Sequence, residues 1–243
     1  MDENTPVNGT RINKWLSNAG ICSRREADRM LEEGRITIDG VRAVPGSRLL
    51  PGQTVAIDGR PVHEDGARKV LIAFNKPKGI VCTTDTRREK DNIIDYIQYG
   101  SRIYPIGRLD KDSEGLILLT NDGSIVNGIL RARNYHEKEY IVSVDKPVTA
   151  QFLQQMASGV QLEEAVTRPC RVRRLAPRRF SIILTQGLNR QIRRMCQTLG
   201  WRVTDLRRIR IMNIELGSLE TGKWRYVEGR ELEELLRLIQ KQK

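Results

Sequence analysis

The sequence is short of histidine, of paired cysteine and of long apolar runs, and each shortage removes a class of function. Only His63 and His136 occur among 243 residues, so a histidine-based catalytic centre or a multi-histidine metal site is not expected. The four cysteines, Cys22, Cys82, Cys170 and Cys196, lie far apart with no C-x-x-C pair. That spacing argues against a zinc site or a disulfide framework and favours a reducing, cytoplasmic setting. No stretch approaches the roughly 20 apolar residues of a membrane span. The opening Met1-Asp2-Glu3-Asn4-Thr5-Pro6 is neither basic nor followed by an apolar segment, which is unlike a secretory signal. Any catalysis is left to carboxylates, Tyr, Lys and Arg.

Lysine is missing where positive charge is densest. The chain carries 42 Lys plus Arg against 30 Asp plus Glu, a net charge of +12. From Val166 to Ile211 there are 13 Arg, no Lys and one acid, Asp205, so this stretch alone holds the whole excess. A membrane surface attracts Lys as readily as Arg, whereas the planar guanidinium suits bidentate phosphate contacts and stacking on bases. Nucleic acid is therefore the first partner to consider, with a solvated basic face as the bland alternative. A hydrophobic fraction of 39% is enough for a core, and the length suggests one large or two small domains.

Residues 1–9 are polar and contain Pro6 and Gly9, and this composition is expected of a flexible leader. Ile12, Trp15, Leu16 and Ala19 fall on one face of a helix that Gly20 closes. Ser23 followed by Glu26 reads as a capping box opening a second helix, with Ala27, Met30 and Leu31 inward. Short strands follow around Ile36–Ile38 and Val55–Ile57, punctuated by Asp39-Gly40, Pro45-Gly46, Pro51-Gly52 and Asp58-Gly59. The polar stretch 63–69 reads as a linker. The run R-I-N-K-W-L-S-N-A-G-I-C-S-R-R-E-A-D-R-M-L-E-E-G-R-I-T-I-D-G-V resembles the S4 domain, a small RNA-binding module. The resemblance implies an RNA-binding unit over 10–62, with Lys14, Arg24, Arg25 and Arg29 on the helix pair facing structured RNA.

From residue 70 the pattern turns strand-rich. Val70–Phe74 and Leu116–Leu119 are continuous apolar runs suited to buried strands. Further strands are expected near 103–106, 140–144, 171–174, 181–185, 203–211 and 226–227. Helices are expected from Ser124 and over 149–158, 191–199 and 231–239. This irregular order gives an α+β chain: a small two-helix unit with short strands, then a mixed, largely antiparallel sheet flanked by helices over 70–243.

Three stretches of that second part stand out: G-R-L-D at 107–110 extended to Gly123, H-E-K-E-Y at 136–140, and Q-G-L-N-R-Q-I-R-R-M at 186–195. In this order they resemble the RNA pseudouridine synthases, specifically the RsuA-like branch that joins an S4 domain to a catalytic domain. The resemblance implies conversion of a specific uridine in 23S ribosomal RNA, with a tRNA anticodon loop as a second candidate substrate. It implies no metal and no cofactor, and a monomeric enzyme. Asp110 occupies the family's catalytic position, Tyr140 that of its active-site tyrosine, and Arg193 that of the basic residue paired with the aspartate. Ile192 matches the apolar residue against the flipped uracil, while Leu109 reads as core or pocket wall at the substrate. Arg108 looks like the residue that enters the RNA helix, while Lys111, Arg190, Gln191 and Arg194 would meet surrounding phosphates and bases. Lys76 and Pro77 match another family motif and are assigned to fold support.

Each residue alone has an ordinary reading: a loop aspartate, a core tyrosine, solvated arginines. Only the constellation reverses it. Two rivals remain at this stage. A non-catalytic ribosome-assembly factor of the same fold would be expected to have lost part of the Asp110, Tyr140 and Arg193 set. An S4-bearing methyltransferase would need a Gly-rich strand-to-helix loop, and none stands out. A synthase for another ribosomal site, such as one in small-subunit RNA, is the alternative within the same chemistry.

Overall fold

The computed structural model describes residues 9–63, 68–85, 89–130 and 135–240. Apart from Gly9, the expected leader lies outside the described residues, as does the centre of the expected linker. The chain divides into two compact units, with the boundary between Lys69 and Val70.

The first unit contains β1 (Thr10–Arg11), α1 (Ile12–Asn18), α2 (Arg24–Glu32), β2 (Ile36–Ile38), β3 (Val41–Arg42), β4 (Arg48–Leu49), β5 (Val55–Ile57) and β6 (Arg60–Val62). The Ser23 hydroxyl accepts a hydrogen bond from the Glu26 amide at 3.1 Å, which satisfies one of the free donors at the start of α2. Asn13 of α1 donates to Asp28 of α2 at 2.8 Å. Ile12, Leu16, Ala27, Leu31, Ile36 and Val55 bury a small shared core. Strands β3-β2-β5-β6 form an antiparallel sheet. Its two-residue turns, Asp39-Gly40 and Asp58-Gly59, have positive φ at both positions, as tight hairpins of this twist require.

The second unit runs β7 (Leu71–Lys76), α3 (Ile93–Ile97), β8 (Tyr104–Pro105), β9 (Glu114–Thr120), α4 (Gly123–Leu130), β10 (Lys138–Val144), α5 (Ala150–Ser158), β11 (Arg171–Ala176), β12 (Arg179–Leu184), α6 (Gln191–Thr198), β13 (Val203–Ile211), β14 (Ile214–Glu215), β15 (Trp224–Tyr226) and α7 (Gly229–Gln240). Its sheet is ordered β11-β12-β10-β13-β9-β7-β15, with β14 on β13 and β8 on β9. All these pairings are antiparallel except β13 with β9. The expected α+β class, with its mixed and mostly antiparallel sheet, is what the chain adopts.

Period-two alternation divides the buried runs between two cores. On β7 and β9, Ile72, Phe74, Ile117 and Leu119 face a cluster that includes Phe152 of α5, Phe180 of β12 and Met195 of α6. Leu71, Ala73, Leu116 and Leu118 face the other side, against Ile129 of α4 and Leu235 and Ile239 of α7. Burial on both faces explains why these strands read as unbroken apolar runs. Phe152 also packs on Phe180 and Trp201, with ring centroids 5.4 and 4.5 Å apart. The helix α3 went unforeseen; Asn92 opens it by accepting from the Ile94 and Asp95 amides at 3.0 and 2.9 Å.

Candidate active site

The loop before β9 carries Arg108, Leu109 and Asp110, and its backbone is pinned from several sides. Cys82 clamps Leu109, its thiol donating to the carbonyl at 3.2 Å and accepting from the amide at 3.4 Å. Burial pushes that thiol's pKa up, which keeps it a neutral hydrogen-bonding group. The Gly79 amide donates to Lys111 O at 2.8 Å, and the Ser113 amide to Asp110 O at 3.1 Å. Beneath the loop, Lys76 is fully buried, and its ammonium donates to Pro77 O and Ile80 O, each at 2.8 Å. Burial lowers its pKa, while Asp110 and Asp112 are among the charges that oppose the shift.

This loop borders a cavity of about 300 Å³. Eight of the sequence-derived site residues line it together: Arg108, Leu109, Asp110, Tyr140, Arg190, Gln191, Ile192 and Arg193. They come from a loop, a strand and a helix separated by up to 85 residues (Arg108 to Arg193), so tertiary folding alone assembles them. Leu109, Tyr140 and Ile192 are buried and form apolar wall. The Asp110 side chain keeps 35% exposure, enough to meet a ligand while resting on the protein.

The basic residues are arranged differently from the expectation. Arg193 was expected to pair with Asp110, but the arginine within ion-pair distance of that carboxylate is Arg190, at 3.8 Å. Arg193 instead donates to Asp112 O at 3.0 Å and to the Ser113 hydroxyl at 3.1 Å, so it braces the loop from behind. Its position one turn into α6 directs the long side chain past Asp110. Arg190 sits at the helix start with φ 48°, a left-handed conformation uncommon for residues with a Cβ. That geometry lets its guanidinium form a two-pronged bond with Asp112, both contacts 3.0 Å. The Arg190 hydrogen bond is the main reason the Asp112 carboxyl lies below its usual range.

Two residues expected at the substrate do not line the cavity. Lys111 lies 3.8 Å from Asp91, and Arg194 is ion-paired with Glu164. Gln191 borders the cavity, but its buried amide is spent on the fold: its oxygen accepts from the Leu188 amide at 3.1 Å. Much of the arginine excess is likewise neutralised locally, with Arg171 on Glu137 and Arg210 on Glu137 and Glu139. In the first unit, Lys14, Arg24, Arg25 and Arg29 are all exposed on the helix pair, with Arg29 lying 3.2 Å from Glu26.

Sequence reasoning passed over two charged lining residues, Lys138 and Arg208. Lys138 could have been noticed, because it stands two positions before Tyr140 on one strand and so shares its face. Arg208 could not. Its placement depends on a β-bulge: Glu139 pairs with Arg210, yet Tyr140 pairs with Arg208, which leaves Ile209 as the extra residue. The bulge reverses the side-chain alternation of β13, so Leu206, Arg208 and Ile211 all reach the cavity while Arg210 meets Glu139 on the other face.

Known proteins resemble this chain in both parts. Residues 70–198 match the RNA pseudouridylate synthase family and residues 10–55 the S4 domain. The chain belongs to the RNA pseudouridine synthase family. It is 53% identical to the dual-specificity RNA pseudouridine synthase RluF of Salmonella typhi over 95% of this chain and 80% of that one. With RluF of Escherichia coli K12 the identity is 50%, covering 97% and 81%. A crystal structure of a pseudouridylate synthase superposes with a TM-score of 0.68 at 26% identity, covering 94% of this chain and 99% of the other. This synthase is thus an RNA-modifying isomerase of the S4-bearing, RsuA-like kind, and the non-catalytic and methyltransferase rivals fall away. Among the described residues no helix is long and apolar enough to cross a membrane.

Proposed function

We propose that this synthase acts in the cytoplasm as a monomer, without metal or cofactor, converting a specific uridine of 23S ribosomal RNA to pseudouridine and accepting a tRNA anticodon loop as well. The dual-specificity name of its relatives supports two RNA classes. The observation that carries the chemistry is the convergence of Asp110, Tyr140 and Arg190 on one cavity. The reaction detaches uracil from C1′ and rejoins it through C5, with the C5 proton lost and N1 protonated, so nothing is oxidised and no group leaves. Asp110 is the catalytic carboxylate, able to form and release a covalent adduct at C1′ or C6 or to promote an elimination. Arg190 holds positive charge beside it, and Arg193 positions its loop. Tyr140 packs on the base and serves as proton acceptor.

A stacked base is out of reach, so the uridine is flipped into the cavity at a cost of a few kcal/mol. Arg108 fills the vacated space, and Leu109 and Ile192 enclose the ring. The first unit, residues 10–62, grips folded RNA through Lys14, Arg24, Arg25 and Arg29, reading backbone shape more than base edges. Residues 63–69 link it to the catalytic domain, 70–243. The test is Asp110→Asn, which keeps the side-chain shape. It should bind RNA as wild type does while releasing no C5 hydrogen from labelled uridine. Turnover equal to wild type would refute the catalytic role of Asp110. Pseudouridine mapping in cells with and without the gene identifies the ribosomal and tRNA targets.

A further inference from the structure

We propose that Lys138 and Arg208 form an oxyanion site in the floor of the cavity, holding a carbonyl oxygen of the target uracil as negative charge collects on it. This rests on the pseudouridine synthase reading above and adds two residues that touch the reacting base.

The placement comes from the sheet. Lys138 and Tyr140 share a face of β10, and the bulge at Ile209 sets Arg208 directly across from Tyr140. The Arg208 guanidinium carbon lies 5.9 Å from the Tyr140 ring centroid, so a base packed on this tyrosine has the guanidinium beside it. Arg208 is 4% exposed; its Nε donates to Leu116 O at 2.7 Å, and its Nη1 reaches Arg108 O at 3.5 Å. Its Nη2 is buried with no partner. A buried guanidinium nitrogen left unbonded costs free energy unless a ligand completes it. Among the described residues neither Lys138 nor Arg208 forms an ion pair, whereas Arg190, Arg194 and Arg210 all do.

Lys138 is half-buried beside the buried Arg208, and among the described residues it has no ion-pair partner. Burial, then Arg208, lowers the Lys138 pKa to about 8. The other titratable or charged groups around Lys138 are Asp110 and Arg108 on the loop, Arg190 and Arg193 near the start of α6, Tyr140 on its own strand and His136 just before it; its chain neighbours Glu137 and Glu139 pair with Arg210, and the bordering part of α4 contributes Ile129 and Leu130 only. A fold gains nothing by keeping such a pair for stability, but an anionic oxygen satisfies both members.

The chemistry supplies that anion whichever route Asp110 follows. If the carboxylate attacks C1′, or if the base departs through an elimination, the C1′–N1 bond breaks with its electron pair on uracil, and the charge spreads to O2 and O4. If the carboxylate adds to C6, the C5=C6 electrons move toward C4 and the charge gathers on O4. Fixed donors at such an oxygen act mainly on the transition state, and losing one lowers rates by about 10²–10³-fold.

The test measures single-turnover rates on a uridine RNA from pH 6 to 10, with wild type, Lys138→Met and Lys138→Arg, and with Asp110→Asn alongside. Because the Lys138 pKa is depressed to about 8, its charge is present below that pH and lost above it. Wild type should therefore lose rate as pH rises through about 8. Lys138→Met should be slower by about 10²-fold at pH 7, with RNA affinity within about threefold and the alkaline limb gone. Lys138→Arg, whose charge persists, should retain rate at pH 9 and shift the limb upward. Lys138→Met within twofold of wild type, or an unshifted limb in Lys138→Arg, overturns the oxyanion site. Full turnover by Asp110→Asn overturns the underlying reading instead, so the two failures are separable.

Discussion

Replacing Arg193 distinguishes an arginine that sets positive charge beside Asp110 from one that holds its loop. Arg193→Ala would leave the Asp112 carbonyl and the fully buried Ser113 side chain without the donor they now share. It would also remove a cation 3.4 Å from the Asp112 carboxylate, although Arg190 would still neutralise that acid. Hydrogen bonds from a charged donor contribute about 1.5–3 kcal/mol each, and with part of the loss recovered by water the net cost is about 3 kcal/mol. For a unit of this size each kcal/mol shifts the midpoint by about 2–4 °C, so the catalytic unit should melt about 6–12 °C lower. Arg193→Lys, which keeps the charge but not the fork, should lose about half as much. The assay is thermal unfolding followed by circular dichroism, paired with uridine turnover at a temperature where every variant is folded. An Arg193→Ala protein that melts within 1 °C of wild type and yet is inactive would refute the bracing role and restore Arg193 as the partner of the Asp110 charge.

Two further outcomes follow from the packing and the charge placement. Gly115 has φ +105° where β9 meets β13, and a Cβ there would overlap the Arg208 carbonyl and lie 2.7 Å from its amide nitrogen. Backbone cannot yield as a side chain can, so Gly115→Ala should cost more than about 3 kcal/mol, read as low soluble yield or a midpoint at least 10 °C lower; a shift under 2 °C would contradict it. Replacing the exposed Arg24 and Arg25 by Gln should reduce the slope of log affinity against log salt by about 1.5, whereas Arg194→Gln should change it less because Glu164 already occupies that guanidinium. Filter binding across a salt series distinguishes the two, and equal effects would mean that the Arg194–Glu164 pair opens on RNA.

The folding code of this chain was readable wherever it is local. Ser23 before Glu26 marked the start of α2, the apolar run 70–74 marked a doubly buried strand, and Asp39-Gly40 marked a hairpin, because caps, alternation and left-handed turns act over a few residues. The order of motifs was enough to bring Asp110, Tyr140 and Ile192 forward as a set. Charge was legible as a sum along each stretch but not as its pairing. The excess of arginine between 166 and 211 suggested free phosphate ligands, but Arg171, Arg190, Arg194 and Arg210 reach acids distant in sequence, and linear order carries no record of those distances.

Composition and motif order therefore determined the family and the architecture: an RNA pseudouridine synthase, built as a small helical module followed by a mixed sheet. The tertiary structure alone decided which arginine stands beside Asp110 and which braces its loop, since both lie within one turn of α6 and differ only in direction. It also decided Arg208. A single extra residue in β13 reverses the side-chain alternation there, and whether a cation faces solvent or the floor of the cavity depends on that bulge, which appears only when β10 and β13 are paired.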